Sequence, residues 1–456
     1  MFVLSVVSTL GSAQEASSDL VLVIVNLLGE EDKDLRSLGL EQVRTGARGS
    51  MATKIFSEQL PKLSHEAQIG LLNALAIRAD SVARPEVVKL LTSSQEEKVQ
   101  NSAIRALGSL GNVTDLPQLL KLLATPSEEQ QSAVRASLER LSGDTVSSSL
   151  ADVVSTLALT EGSSNIRVIL IRILAERRSV DAIPQLLAAA VDDETSVRIA
   201  AMTALGQLAN SHHLAGMVQG VLRTKSGPER TAAEKNVMFV CVRIADVELR
   251  AQPLLAAMGE LSETDRLALY STLGRVGGGV SLKIIEGAID DPNPKVHQIG
   301  IRAISNWPNA TVASKLMELV KTDVHPAHRI AMLRALIRVA PLPDQRPLAE
   351  KLGLLQKAME MATRDQEQRL VLRRASAIRI IETLRFIVAY VDDPKLAQQA
   401  CASLVELAHH RGLREPHKEE FHRALDRVIQ TSDNATVIDR AQRYKKDQTW
   451  VRAKTE

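Results

Sequence analysis

Aromatic side chains are scarce in this sequence of 456 residues: two Trp, three Tyr and five Phe, or 2% of the chain. Sandwich and barrel cores lean on aromatic and β-branched side chains, so that scarcity argues against them. Cysteine is scarcer still. Cys241 and Cys401 lie 160 residues apart. A disulfide needs Cα atoms within about 7 Å. Two unrelated small core residues are the expectation, and the redox compartment stays open. Charge of one sign is missing too: 56 basic residues meet 54 acidic ones, for a net charge of +2. That balance excludes a general polycation built for nucleic acid or acidic membranes. Long apolar runs are absent as well. The best candidates, Phe2–Leu10 and Leu20–Leu28, fall far short of the ~20 residues of a membrane span.

What is present is Leu, Ala, Val and Ile with abundant Arg, Glu and Gln. At 45% hydrophobic and 24% charged the chain can bury a large core, and the mixture favours helices. The N-terminus is a short apolar run followed by Gly11-Ser12-Ala13-Gln14. Small residues at Gly11 and Ala13 fit signal cleavage before Gln14. No Lys or Arg precedes the run, so residues 1–16 read either as a signal peptide or as a frayed first helix. The expectation is a periplasmic or secreted protein, with a cytoplasmic one as the alternative.

A repeat organises the rest. Val99-Gln-Asn-Ser-Ala-Ile-Arg-Ala-Leu107 recurs as Ile166–Leu174, Val197–Leu205, Val296–Ile304 and His328–Leu336. Each segment has a start residue, a small or apolar residue four later and a Leu or Ile eight later. That spacing is one buried helix stripe. The last positions are separated by 67, 31, 99 and 32 residues, multiples of a unit of about 31–34. Weaker units at Ser132–Leu141, Ala232–Ile244 and Asp265–Val276 fill the gaps. A second helix per unit shows in Arg84-Pro85, Leu116-Pro117 and Ile183-Pro184, each before an apolar stripe. Proline suits a helix's first turn, where its missing N–H costs nothing. Polar turns such as Asp192-Asp193-Glu194 join the two helices and can cap the second.

Ile183-Pro184-Gln-Leu-Leu through Asp192-Asp193 to Val197-Arg-Ile-Ala-Ala-Met-Thr-Ala-Leu205-Gly206 resembles a HEAT repeat, of the subtype called PBS-lyase HEAT-like. The resemblance covers about residues 20–340 closely and 345–445 more loosely. It implies an all-α fold, an α-α superhelix (α-solenoid) of about 11–12 helix pairs, from a bacterial protein. The expected layout is an array over 17–343, modified repeats and a cap over 344–440, and a basic tail over 441–456. Helices at Leu348–Thr363 and Ala375–Tyr390 are expected to be longer than the rest. Five of the ten aromatics, Phe386, Tyr390, Phe421, Tyr444 and Trp450, fall in this part, as suits a capping unit.

One pattern is a candidate binding site. Six residues after the start position comes Arg105, Arg172, Arg302 or Arg334. Helix geometry puts it off the buried stripe, and in HEAT arrays the second helix lines the concave face. These four form a candidate basic strip for a protein partner, weighed against a solvated face of weak ion pairs. The resemblance gives Arg167, Arg198 and Arg329 a structural role, pairing with inter-helix Asp. The histidines, including His212-His213, His325, His328 and His409-His410, show no motif that supplies converging ligands, so no metal, cofactor or catalytic residue is assigned. Di-iron HEAT enzymes, the deoxyhypusine hydroxylases, use repeated His-Glu dipeptides, and this chain has one, His65-Glu66. Gly274 to Gly279 lacks the strand and Gly-Lys-Ser/Thr context of a phosphate loop. The expected function is a non-catalytic interaction scaffold. The alternatives are a HEAT-type lyase or chromophore-handling chaperone, or a nucleic-acid-binding HEAT protein.

Overall fold

The computed structural model describes residues 16–124, 127–160 and 162–450, and the signal-like segment 1–15 lies outside them. Among the described residues there is no strand, and helices follow one another in pairs. The chain divides into two units, Met1–Ala209 and Asn210–Glu456. The first holds α1/α2 (Ser18–Gly29, Lys33–Glu41), α3/α4 (Ser50–Ser57, His65–Arg78), α5/α6 (Arg84–Ser93, Glu97–Leu110), α7/α8 (Leu116–Leu123, Glu128–Arg140), α9/α10 (Val146–Leu157, Ser164–Glu176) and α11/α12 (Ile183–Ala189, Thr195–Leu208). Its second helices stack in sequence, α4 on α6, α6 on α8, α8 on α10 and α10 on α12.

The second unit holds α13/α14 (Leu214–Arg223, Pro228–Cys241) and α15 (Gln252–Gly259), whose partner is split into α16 (Glu263–Ala268) and α17 (Tyr270–Val276). Then come α18/α19 (Gly279–Ile289, Pro294–Ser305), α20/α21 (Ala313–Thr322, Pro326–Val339), α22/α23 (Leu348–Met361, Asp365–Ala375) and α24/α25 (Ile381–Val388, Ala397–Ala408). A single turn, α26 (Arg411–Arg414), leads into α27/α28 (Lys418–Thr431, Ala435–Lys445). The helix expected over Ala375–Tyr390 runs only from Ile381 to Val388, because α23 closes at Ala375. The chain breaks at Ser376–Ile380, where Ile378 is fully buried and Ile380 is extended. Apolar residues on both sides of that break, Ala375, Ile378, Leu384 and Ile387, are all buried, which one straight helix could not achieve on a single face.

The repeat stripe explains the stacking. Ala103 and Leu107, Leu170 and Leu174, Ala201 and Leu205, and Met332 and Leu336 are all fully buried. The start residues split: Val99 and Val197 are buried, whereas Ile166, Val296 and His328 stay half-buried in the first turn. Small residues set the spacing. A Cβ on Gly274 of α17 would meet the Ala303 carbonyl oxygen of α19 at 2.0 Å, so the two helices touch backbone to backbone. The expected prolines sit in the first turns of α5, α7 and α11, each after a short 3-10 turn.

Arginines staple unit to unit. Arg177 at the end of α10 donates to the carbonyls of Leu138 (2.9 Å), Glu139 (3.1 Å) and Leu141 (2.9 Å) at the end of α8. Arg78 reaches Val43 and Gly49, Arg338 reaches Ser305 and Trp307, and Arg374 reaches Arg338. Each satisfies carbonyls that a helix end or turn leaves open, with charge suited to that end of the dipole. Burial lowers the pKa of all four guanidiniums. At the far end Tyr444 is buried, its hydroxyl is hydrogen-bonded to His409 Nδ1 at 2.9 Å, and its ring lies under Arg414 and Arg440. Trp450 stacks on Arg440, with the guanidinium 4.8 Å from the ring, and Lys418 pairs with Asp447 at 2.6 Å. The described part of the tail is therefore packed on the last pair.

Candidate functional site

In the first unit, Arg105 on α6 and Arg172 on α10 both project from exposed positions of stacked second helices. The helix between them supplies a residue that the sequence reading missed. Ala133-Val134-Arg135 of α8 is in register with Ala103-Ile104-Arg105, so Arg135 completes the row. The weak Leu spacing of that unit hid it. Arg135 and Arg172 line a groove of about 430 Å³ between α8 and α10, together with Ser132, Ala136, Ile169, Ile173, Glu139 and Glu176. Each arginine has a glutamate four residues on, one turn away on the same face. The expected basic strip is thus a row of alternating charge at this point, with Ile169 and Ile173 as its apolar floor.

In the second unit the other two arginines have different surroundings. Arg302 on α19 lines a cleft of about 220 Å³ with Arg230, Glu234, Ser271 and Ile299. At its base Glu234, whose side chain is 1% exposed, meets Arg230 at 3.5 Å and Arg275 at 3.1 Å and accepts the Ser271 hydroxyl at 3.0 Å. Arg230 donates to the Val221 and Ala268 carbonyls, both at 2.6 Å. Burial lowers its pKa, and the nearby charge of Arg302 adds to that while Glu234 opposes it. Arg334 is committed to structure. It bonds Glu367 of α23 at 2.8 Å and Gln366 at 2.9 Å. Glu367 also takes Arg364, and that hydrogen bond, against the penalty of burial, holds its pKa below the usual range with help from Arg334. Arg334 thus stays exposed on α21 while it pairs with a buried carboxylate of α23.

The structural arginines fall out unevenly. Arg167 binds the Asp192 carboxylate at 2.5 Å, and Arg198 donates to the carbonyls of Asp192 and Asp193 at 2.7 Å. Burial raises the Asp192 pKa, but hydrogen bonds from Arg167 and the Glu194 amide, with both arginine charges, leave it lowered. Arg329 turns to the Val320 carbonyl at 3.0 Å. The glycine run is a turn: Gly277 and Gly278 have φ of 79° and 94°, and Glu248 Oε2 accepts the Gly279 amide at 2.8 Å. A carboxylate of this chain thus already takes the Gly279 amide. Both cysteines are free and buried in the second unit, and burial pushes Cys241 up to about 12 and Cys401 to about 11. Among the described residues one group has metal-ligating atoms in convergence: His297, Asp323 and His328. No sequence motif gives His328 these partners, because His297 meets the same carboxylate only through the stacking of neighbouring repeats.

Comparison with known proteins places HEAT repeats at residues 54–139 and 151–237. No curated protein matches the chain. Among solved structures, Kap121p is similar at 14% identity and a TM-score of 0.47, over 93% of this chain and 56% of that one. Kap121p bound to Pho4p is similar at 13% and 0.49, over 91% and 54%. Importin beta is similar at 12% and 0.32, over 94% and 69%. The chain thus spans a little over half the length of the Kap121p chains. No helix among the described residues is long and apolar enough to cross a membrane.

Proposed function

We propose that this chain is a non-catalytic scaffold of bacterial origin, exported to the periplasm or beyond, that binds a protein partner along the second-helix row of its first unit. The row runs through Arg105, Arg135 and Arg172. The observation that carries the reading is the α8–α10 groove, where Arg135/Glu139 and Arg172/Glu176 alternate in sign around Ile169 and Ile173. An apolar floor with a mixed polar rim suits a protein surface. A phosphate backbone calls for one sign of charge, which this groove does not have.

The test is a paired affinity purification from cell envelope and cytosol with the wild-type chain and an Arg135→Glu/Arg172→Glu variant. Both sites are on a solvent-facing row, so helicity and melting temperature should match. The variant should lose the wild type's partner, with affinity down about tenfold or more through like-charge contacts. Equal capture by both proteins would overturn the site. Recovery of the uncleaved chain with cytosolic markers would overturn export.

A further inference from the structure

The repeat carries a rung between neighbouring units. In one unit Arg167, one residue after the start position, reaches forward 25 residues to the carboxylate of Asp192 in the next inter-helix turn. At the same position of α19 stands His297, which reaches forward 26 residues to Asp323 in the α20–α21 turn. A guanidinium has donors alone, whereas a neutral imidazole has a lone pair. A second departure sits beside it. The start position, apolar in Val99, Ile166, Val197 and Val296, is His328 in α21. Both departures face one oxygen. His297 Nε2 is 3.1 Å and His328 Nδ1 is 3.2 Å from Asp323 Oδ2. All three ligand atoms lie within 4.8 Å of one another.

The tautomer of His297 follows from its other nitrogen. Nδ1 lies 2.5 Å from the Ile289 carbonyl, which can only accept, so Nδ1 carries the proton. In the neutral ring the Nε2 lone pair then points at a carboxylate oxygen. A cation between them turns that repulsion into ligation, and the Nδ1–H bond to a carbonyl is the support that metal-bound histidines commonly have. Asp323 is oriented independently, since its Oδ1 accepts the His325 amide at 2.7 Å. Tetrahedral zinc with bonds of about 2.0–2.1 Å spaces its ligand atoms by about 3.3 Å, close to the two separations measured from Asp323 Oδ2. The side chains of Asp323, His328 and His297 are 2%, 15% and 24% exposed, so the donors are held in place yet open to solvent on one side.

We propose that His297, Asp323 and His328 form a binding site for a divalent first-row transition metal, zinc above others, clamping the first turn of α19 to the α20–α21 turn. Two imidazoles and one carboxylate suit zinc, nickel or copper and not the all-oxygen preference of calcium or magnesium. His325 borders His328 at 4.9 Å between ring centres.

The test uses the full chain, tag removed and stripped with chelator, titrated with zinc chloride by calorimetry and with cobalt chloride by visible absorbance. Wild type should bind one equivalent of zinc and give the intense visible bands of a tetrahedral cobalt site. His297→Arg restores the rung found at Arg167, so it should fold normally, while losing the bands and at least 100-fold in zinc affinity. His328→Gln should do the same. Binding unchanged in His297→Arg, no stoichiometric heat in the wild type, or equal competition by magnesium would each overturn the site. A proton shared among the three residues would account for the absence of stoichiometric heat.

Discussion

Glu234 offers the sharpest test of how the second unit is held together. Its carboxylate is 1% exposed and sits between Arg230 and Arg275, themselves 10% and 14% exposed. Glu234→Ala removes the carboxylate bonded to both guanidiniums while leaving the two arginines in place. Breaking a buried pair by deleting one partner costs about 3–5 kcal/mol. Arg230 keeps its bonds to Val221 and Ala268, which favours the lower end, about 3 kcal/mol. With a urea slope of about 3 kcal/mol/M, the midpoint should fall by about 1 M. Both tryptophans, Trp307 and Trp450, belong to this unit, so their emission follows its unfolding without interference from the first unit. Arg302→Ala, on the exposed rim of the same cleft, is the control and should stay within about 0.5 kcal/mol. A fall below about 0.3 M for Glu234→Ala, or an equal fall for Arg302→Ala, would refute the idea that the buried carboxylate neutralises the cleft.

Three further outcomes follow from the same packing. Gly274→Ala places a methyl 2.0 Å from the Ala303 carbonyl oxygen, so α17 and α19 must part; thermal melting should show a loss of about 2–3 kcal/mol or more. Glu367 has a folded pKa below its ordinary value, so its contribution is present above the ordinary glutamate range and is lost as pH falls through the lowered value. Arg334→Ala should therefore move the acid unfolding transition to higher pH, and Arg364→Ala should move it further because that hydrogen bond is the larger cause; acid titrations that overlay the wild type would contradict this. Cys241 and Cys401, pushed to about 12 and about 11, should resist a disulfide reagent near neutral pH in the folded protein and react fully in denaturant. Rapid native labelling of either would show that its helix opens.

The pattern of the fold was legible because each unit repeats its own evidence. The stripe through Ala103 and Leu107 recurs often enough that one weak unit could not hide the architecture, and proline marked the helix starts. What stayed hidden runs between units. Arg177 finds its carbonyls 36 to 39 residues back, and no spacing rule for one helix reaches that far. Arg334 is solvent-facing, but its partner Glu367 lies 33 residues on and no pattern within its own helix points to it. The break at Ser376–Ile380 was missed for a related reason: apolar residues on two faces read as one long helix until a neighbour is there to bury each face.

Contacts between successive units recur near one repeat length: 25 residues for Arg167 to Asp192, 26 for His297 to Asp323, and 31 for Arg84 to Asp115. A stacked array turns a three-dimensional neighbour into a fixed offset along the chain. Among the five clearest segments His297 stands where three of the other four carry arginine (Arg167, Arg198 and Arg329, against Gln100), and His328 stands where the other four carry Val or Ile. Either histidine alone looks incidental. Two departures from the unit's own pattern, aimed from adjacent units at one carboxylate, are a local violation that stacking does not require, and such violations are where function is to be sought. The Arg135 groove follows from the opposite logic. It keeps the pattern, and only its adjoining glutamates, Glu139 and Glu176, separate a selective surface from a uniformly basic one.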